Sequence, residues 1–115
     1  PEIDVLLALP DPSVFNAVTI QPILLATYRQ QLPLFGFSAA YVRAGAIASL
    51  HSTPVQIGNQ AADMLRTALA RGQLPSPRYS GQYTLATNPH VAHSLGIPFE
   101  GEAALMQRLQ QLEER

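Results

Sequence analysis

Two short apolar runs, "IDVLLAL" at residues 3–9 and "LPLFGFS" at residues 32–38, bracket a segment with helical spacing, and this order constrains the fold more than any other feature. The first run is almost continuous and is closed by "PDP", which suits a buried parallel strand better than a half-solvated one. Between the runs, "IQPILLATYRQQ" places Ile20, Ile23, Leu24 and either Thr27 or Tyr28 on one face. Pro22 falls in the first turn of that helix, where its missing N–H costs nothing. Strand, helix and strand in that order make a right-handed parallel crossover the default.

The same grammar continues along the chain. "AAYVRAGAIASLHST" reads as a short helical turn, a break at Gly45 and a third strand "AIASLH". The clearest helical signal is "TPVQIGNQAADMLRTALARGQLP": Thr53 can cap it, Pro54 opens it, and Val55, Ile57, Ala61, Met64, Leu65 and Leu69 trace an apolar stripe. Gly72 and Pro75 stop it. "YTLAT" is a fourth strand, "NPHVAHSLG" a short capped helix, and "EGEAALMQRLQQLEER" an amphipathic helix with Leu105, Met106, Leu109 and Leu112 on one side. Alternating strands and helices with buried strands predict an α/β fold, with ligands bound beyond the carboxyl ends of the strands.

Composition narrows the function classes. At 115 residues, 47% hydrophobic and 13% charged, the chain is one modest globular domain or part of a larger one. A net charge of −1 gives no electrostatic footprint for nucleic acid or an anionic membrane. Every basic residue is arginine, so Schiff-base lysines and P-loop phosphate clamps are excluded. Without cysteine there is no disulfide, thiolate or cysteine-ligated zinc. The chain starts at a proline and enters an apolar run almost at once, with no methionine or targeting segment. It therefore reads as a cut piece of something longer.

The polar residues that could carry chemistry gather just past strand ends. Asp11 follows the first strand and is joined by Ser13, Asn16 and Thr19. A carboxylate there can pair with a ligand ammonium, or it can simply cap the turn after Pro10. His51 and Ser52 follow the third strand as candidate pocket residues, although a histidine bonded within its own loop fits the sequence equally well. Tyr41 and Arg43 follow the second strand, where a surface arginine is the common outcome. His90 and His93 are three apart with no third ligand nearby, so no metal site is assigned. Ser38 lacks the flanking glycines of a nucleophile elbow, Gly36, Gly45 and Gly58 are too scattered for a dinucleotide fingerprint, and no paired acids suggest acid–base work. No enzymatic activity and no cofactor are expected. A phosphorylatable response-regulator receiver is also excluded, because it requires a lysine.

The assembled string is more specific than its parts. "LPDPSVFN", "ILLATYRQQLPLFGFSAAYVRAGAIASL", "IGNQAADML" and "TNPHVAHSLGI" together resemble the carboxyl-terminal portion of the uncharacterised ABC-transporter substrate-binding protein family, which is similar to tryptophan-type and other type I periplasmic binding proteins. The resemblance runs in order to about Ile97. It implies a parallel-sheet, two-lobed fold of which this chain is the later part: residues 1–43 a second-lobe strand, helix and strand, 44–96 a hinge crossing with elements packed on the first lobe, and 97–115 a terminal helix. It further implies a small-molecule solute, amino-acid-like in relatives, bound in the cleft between lobes without chemistry, permease subunits as partners, and a location outside the cytoplasmic membrane.

Carried over by position, the family's strand-end aspartate falls on Asp11, its small-residue hinge on Ala44, Gly45 and Ala46, and its pocket edge on His51 and Ser52. The cleft residues expected are Asp11, Ser13, Asn16, Tyr41, His51 and Ser52. Members often carry an aspartate-tyrosine pair where this chain has "HSTP", so those positions do not carry an amino-acid solute over. The alternative is a ligand-sensing or dimerising module of a signalling protein, using the apolar faces of "AIASL" and "VQIGNQAADML" to form a homodimer.

Overall fold

The structure, a computed structural model, describes residues 2–115. In chain order the elements are β1 (Leu6–Leu7), α1 (Ile20–Arg29), β2 (Leu34–Gly36), α2 (Ala39–Ala44), β3 (Ala48–His51), α3 (Pro54–Arg71), β4 (Thr84–Thr87), α4 (Pro89–Ser94) and α5 (Glu102–Glu113). They form two compact units: the residues up to Leu50 together with Leu85–Arg115, and the segment His51–Thr84.

The four strands make one sheet in the order β1-β2-β3-β4. β1 and β2 run parallel with Leu6 opposite Leu34, and β2 and β3 run parallel with Phe35 opposite Ala48. Each parallel step is bridged by a helix, as the crossover rule requires.

Period-2 alternation decides what β1 buries. Ala8, Leu34, Leu24 of α1 and Ala46 form the core of the first unit, with Leu6, Phe15, Ile20, Ile23, Phe37, Tyr41 and Ala44 packed around it. That places α1 and α2 against the Leu6/Ala8 side of the sheet. On the other side Ile3, Val5, Leu7 and Leu9 remain between 51% and 61% exposed. The two-sided burial expected for "IDVLLAL" is therefore one-sided, because both crossover helices cover the same face.

Local chemistry fixes the ends of α1. Asn16 accepts from the Val18 and Thr19 N–H groups through Oδ1 at 2.9 and 3.1 Å, satisfying donors that precede the first helical turn. At the other end Gln31 takes a left-handed φ of 56°, and Leu32 N–H returns to Thr27 O at 2.9 Å.

In the second unit α3 begins with a reciprocal capping box. Gln56 N–H donates to Thr53 Oγ1 at 3.1 Å, and Thr53 N–H donates to Gln56 Oε1 at 2.9 Å. Pro54 opens the helix, and Gly72 at φ 71° closes it in the left-handed region that glycine enters without penalty. The return loop is tied to α3 by one polar side: Gln60 Nε2 donates to Tyr79 O at 3.1 Å and Gly81 N–H donates to Gln60 Oε1 at 2.8 Å. No residue of α3 is buried, and Val55, Ile57, Leu65 and Leu69 along its apolar stripe are between 54% and 77% exposed. Among the described residues no helix is long and apolar enough to cross a membrane.

Candidate functional site

The loop from β1 to α1 carries three of the sequence-predicted site residues, and its own hydrogen bonds use most of their polar groups. Asp11 Oδ1 accepts from Ser13 N–H at 2.9 Å and from Ser13 Oγ at 2.6 Å, closing an Asx-type turn on the surface. The Ser13 hydroxyl, and secondarily its backbone N–H, holds the Asp11 carboxyl below its ordinary pKa against a small opposing effect of desolvation. Asp11 is thus a charged turn-former whose Oδ2 has no partner among the described residues. Ser13 spends both of its donors on that turn.

Asn16 is equally committed. Its Nδ2 donates to Pro12 O at 2.9 Å while Oδ1 caps Val18 and Thr19. Thr19 Oγ1 completes the knot by accepting from Asn16 N–H at 3.0 Å and donating to Val14 O at 2.6 Å. The side chains of Asp11, Ser13, Asn16 and Thr19 thus all bond within their own loop.

Tyr41, on α2, is half-buried in an aromatic trio. Its ring centroid lies 4.6 Å from Phe37 in a tilted arrangement and 6.4 Å from Phe15 edge-on, and Phe15 meets Phe37 edge-on at 6.4 Å. Beside this trio the first unit carries a hollow of about 220 Å³ lined by Asn16, Ala17, Ile20, Ala40, Tyr41 and Ala44. The structure thus brings Asn16 and Tyr41 to one concavity, while Asp11 and Ser13 lie outside its lining.

His51 and Ser52 begin the second unit. His51 is half-buried at the last position of β3, and Ser52 Oγ donates to Gln82 O at 2.7 Å, which anchors the return loop. This unit has a hollow of its own, about 270 Å³, lined by Gln60, Asp63, Arg78, Tyr79, Gly81 and Gln82. Gln60 is spent on the loop, and Asp63 pairs with Arg66 at 2.6 Å.

Ala44, Gly45 and Ala46, expected as the hinge, fall inside the first unit. Gly45 ends α2 at φ 131°, and Ala46 is fully buried in the core. The chain passes between the compact units at Leu50–His51 and Thr84–Leu85. No group of three or more metal-ligating side chains occurs among the described residues.

Sequence reasoning missed Ala17, Ile20, Ala40 and Ala44 as lining residues, and Phe15 and Phe37 as the brace behind Tyr41. Alanine carries no chemical signature, and the available signal was spacing: Ala40 and Ala44 stand one turn apart on the same face of α2.

No family model and no curated protein matches the chain. Among solved structures, it is similar to a conserved domain protein from Vibrio cholerae O1 biovar El Tor strain N16961, with 36% sequence identity over 90% of this chain and a TM-score of 0.59. It is also similar to the ABC domain from Streptococcus pneumoniae in complex with L-Trp, with 21% identity over 91% of this chain and a TM-score of 0.60. The chain spans about a third of each, 34% and 35% respectively. The α/β class and the parallel-sheet, periplasmic-binding-type architecture expected from the sequence are the fold this chain has.

Proposed function

We propose that the chain is part of the solute-binding component of an ABC-type importer, holding a small molecule in a cleft between two lobes without making or breaking a bond. The observation that carries this reading is the shared fold over nine-tenths of the chain, because the Streptococcus pneumoniae neighbour is an ABC domain with an amino acid bound. The placement of the candidate residues supports it: Asp11, Ser13, Asn16 and Tyr41 follow the carboxyl ends of β1 and β2, where open α/β sheets bind ligands.

In this reading the polypeptide has two lobes, and α3 packs on the first of them. Solute touches both lobes only when they close, so its affinity difference between open and closed forms sets the closed population. A permease would recognise the closed form, and the protein would work outside the cytoplasmic membrane. The solute is a small molecule, and the L-Trp bound to the Streptococcus pneumoniae neighbour puts amino acids first among the candidates to test. Thermal-shift screening of the whole polypeptide that contains this sequence, against amino acids, sugars and organic acids, tests the reading. Stabilisation by one class is expected, and none by any class would defeat it.

A second reading rests on the exposed stripe of α3 and the bare side of β1: the same fold acting as a dimerising sensor module. Sedimentation as a monomer at all concentrations would remove it.

A further inference from the structure

We propose that Arg78 and Tyr79, on the loop between α3 and β4, form the docking point for a partner protein that presents an acidic segment. Such a surface is independent of whether the protein holds a solute.

The backbone of the loop is fixed, while these two side chains are left unused. The Gln60 carboxamide donates to Tyr79 O at 3.1 Å and accepts from Gly81 N–H at 2.8 Å, gripping the chain on both sides of Ser80. Ser80 Oγ and Ser52 Oγ both donate to Gln82 O, at 2.8 and 2.7 Å. Pro75 and Pro77 restrict the chain on its way into this clamp. From it Tyr79 projects with 99% of its surface exposed, and Arg78 is exposed beside it. Side chains carried on a backbone already in place spare a partner the cost of ordering the loop. Tyrosine and arginine are also the residue types that dominate binding energy at protein interfaces.

Charge selects the partner. The second unit holds three arginines, Arg66, Arg71 and Arg78, against one acid, Asp63, in a chain whose net charge is −1. Asp63 lines the same hollow as Arg78 but is paired with Arg66 at 2.6 Å. Arg71 and Arg78 are exposed and have no acidic partner among the described residues. A guanidinium offers its donors in a planar fork that matches a carboxylate, so an Asp or Glu of the partner answers Arg78. Beside Arg78 the surface dips over Ile57, Ala61 and Met64, where an apolar neighbour of that acid can rest.

This face stays open when the apolar stripe of α3 is covered. Gln60 and Leu69 stand about two and a half helical turns apart, so they point to opposite sides of α3. Val55 and Leu65, each five residues from Gln60, fall on the Leu69 side. Packing those three leaves the Gln60 side, and the loop it clamps, in solvent.

Photocrosslinking of the whole polypeptide that contains this sequence, made in its native cells with p-benzoylphenylalanine in place of Tyr79, tests the surface. Irradiation should give one adduct to another protein, and the attached peptide, mapped by mass spectrometry, should carry an Asp or Glu close to the point of attachment. Arg78→Glu should lower the adduct yield about tenfold or more, and replacing the partner's acid with Arg should restore it. Arg78→Gln, which keeps the length and loses the charge, should lower the yield by a smaller factor. All of these variants should keep the unfolding midpoint of the parent, because both positions are exposed. No adduct, an adduct to a second copy or to lipid, an attached peptide without an acid, or a yield indifferent to Arg78→Glu overturns the docking point. So does a charge exchange that fails to restore the yield.

Discussion

Gly36 lies against Tyr41 so closely that a Cβ built on the glycine would stand 2.7 Å from Tyr41 Cβ and 3.3 Å from its Cγ. The last residue of β2 is thus bare so that α2 can turn back onto the sheet with its aromatic side chain seated. Gly36→Ala forces Tyr41 outward and should destabilise the chain by about 1–3 kcal/mol, the usual cost of overpacking. Urea denaturation reads the loss, and the Tyr41 ring resonances should move with it.

Leu24 is the central side chain of the first unit's core, 7% exposed among Ala8, Leu34 and Ala46. Leu24→Ala should cost about 2–5 kcal/mol through lost burial and a residual cavity. Against a total stability of about 5–15 kcal/mol, this approaches unfolding. A midpoint shift in urea with unchanged slope checks it.

Thr53 and Gln56 satisfy each other's backbone donors at the start of α3. Thr53→Ala removes the acceptor for Gln56 N–H and should cost about 1 kcal/mol, while Thr53→Ser keeps the acceptor and should leave the stability essentially unchanged. Native-state hydrogen exchange at Gln56 and its neighbours would report the fraying directly.

These elements also mark what a reader of the sequence could see. Thr53, Pro54, Gln56 and Gly72 announce α3 because capping and termination are local chemistry within a few residues of chain. Asn88 and Pro89 announce α4 in the same way, with Val91 N–H donating to Asn88 Oδ1 at 3.2 Å. Asp11 lay open between cap and ligand contact, and the bonds from Ser13 show that it closes the turn. The exposed side of β1 was illegible, since "IDVLLAL" is apolar at alternate positions on both faces and only the placement of α1 and α2 says which face is covered. The hollow was illegible for a different reason. Its walls come from the β1–α1 loop, the start of α1 and the helix α2, and its defining property is the shortness of the side chains at Ala17, Ala40 and Ala44.

Asp11 provides a pH-dependent prediction with a definite sign. Its carboxyl is held below the ordinary value by the Ser13 hydroxyl and N–H. A depressed folded pKa contributes stability above the unfolded-state value, and that contribution disappears as pH falls through the folded value. Because the group is on the surface, the effect on global stability is small, and the proper readout is the titration itself. Carboxyl-carbon NMR should give an Asp11 midpoint below that of unstructured aspartate, and Ser13→Ala should raise it. An unchanged midpoint in Ser13→Ala would show that the 2.6 Å contact does not persist in solution.

The stripe on α3 separates the behaviour of this chain from that of a two-lobed protein containing it. Leu69 is 77% exposed here, so Leu69→Ala removes little burial and should change the stability of these 115 residues by less than about 0.5 kcal/mol. Leu65, at 58% exposure, should behave alike. If α3 packs on a partner lobe, the same substitutions in the whole polypeptide remove buried area and should cost about 2 kcal/mol or more each. The comparison of the two contexts by urea denaturation therefore reads packing directly, because the substitution is identical and only its surroundings differ. Equal, small costs in both would mean that the apolar stripe of α3 stays in water and that the lobe assignment of this helix is wrong.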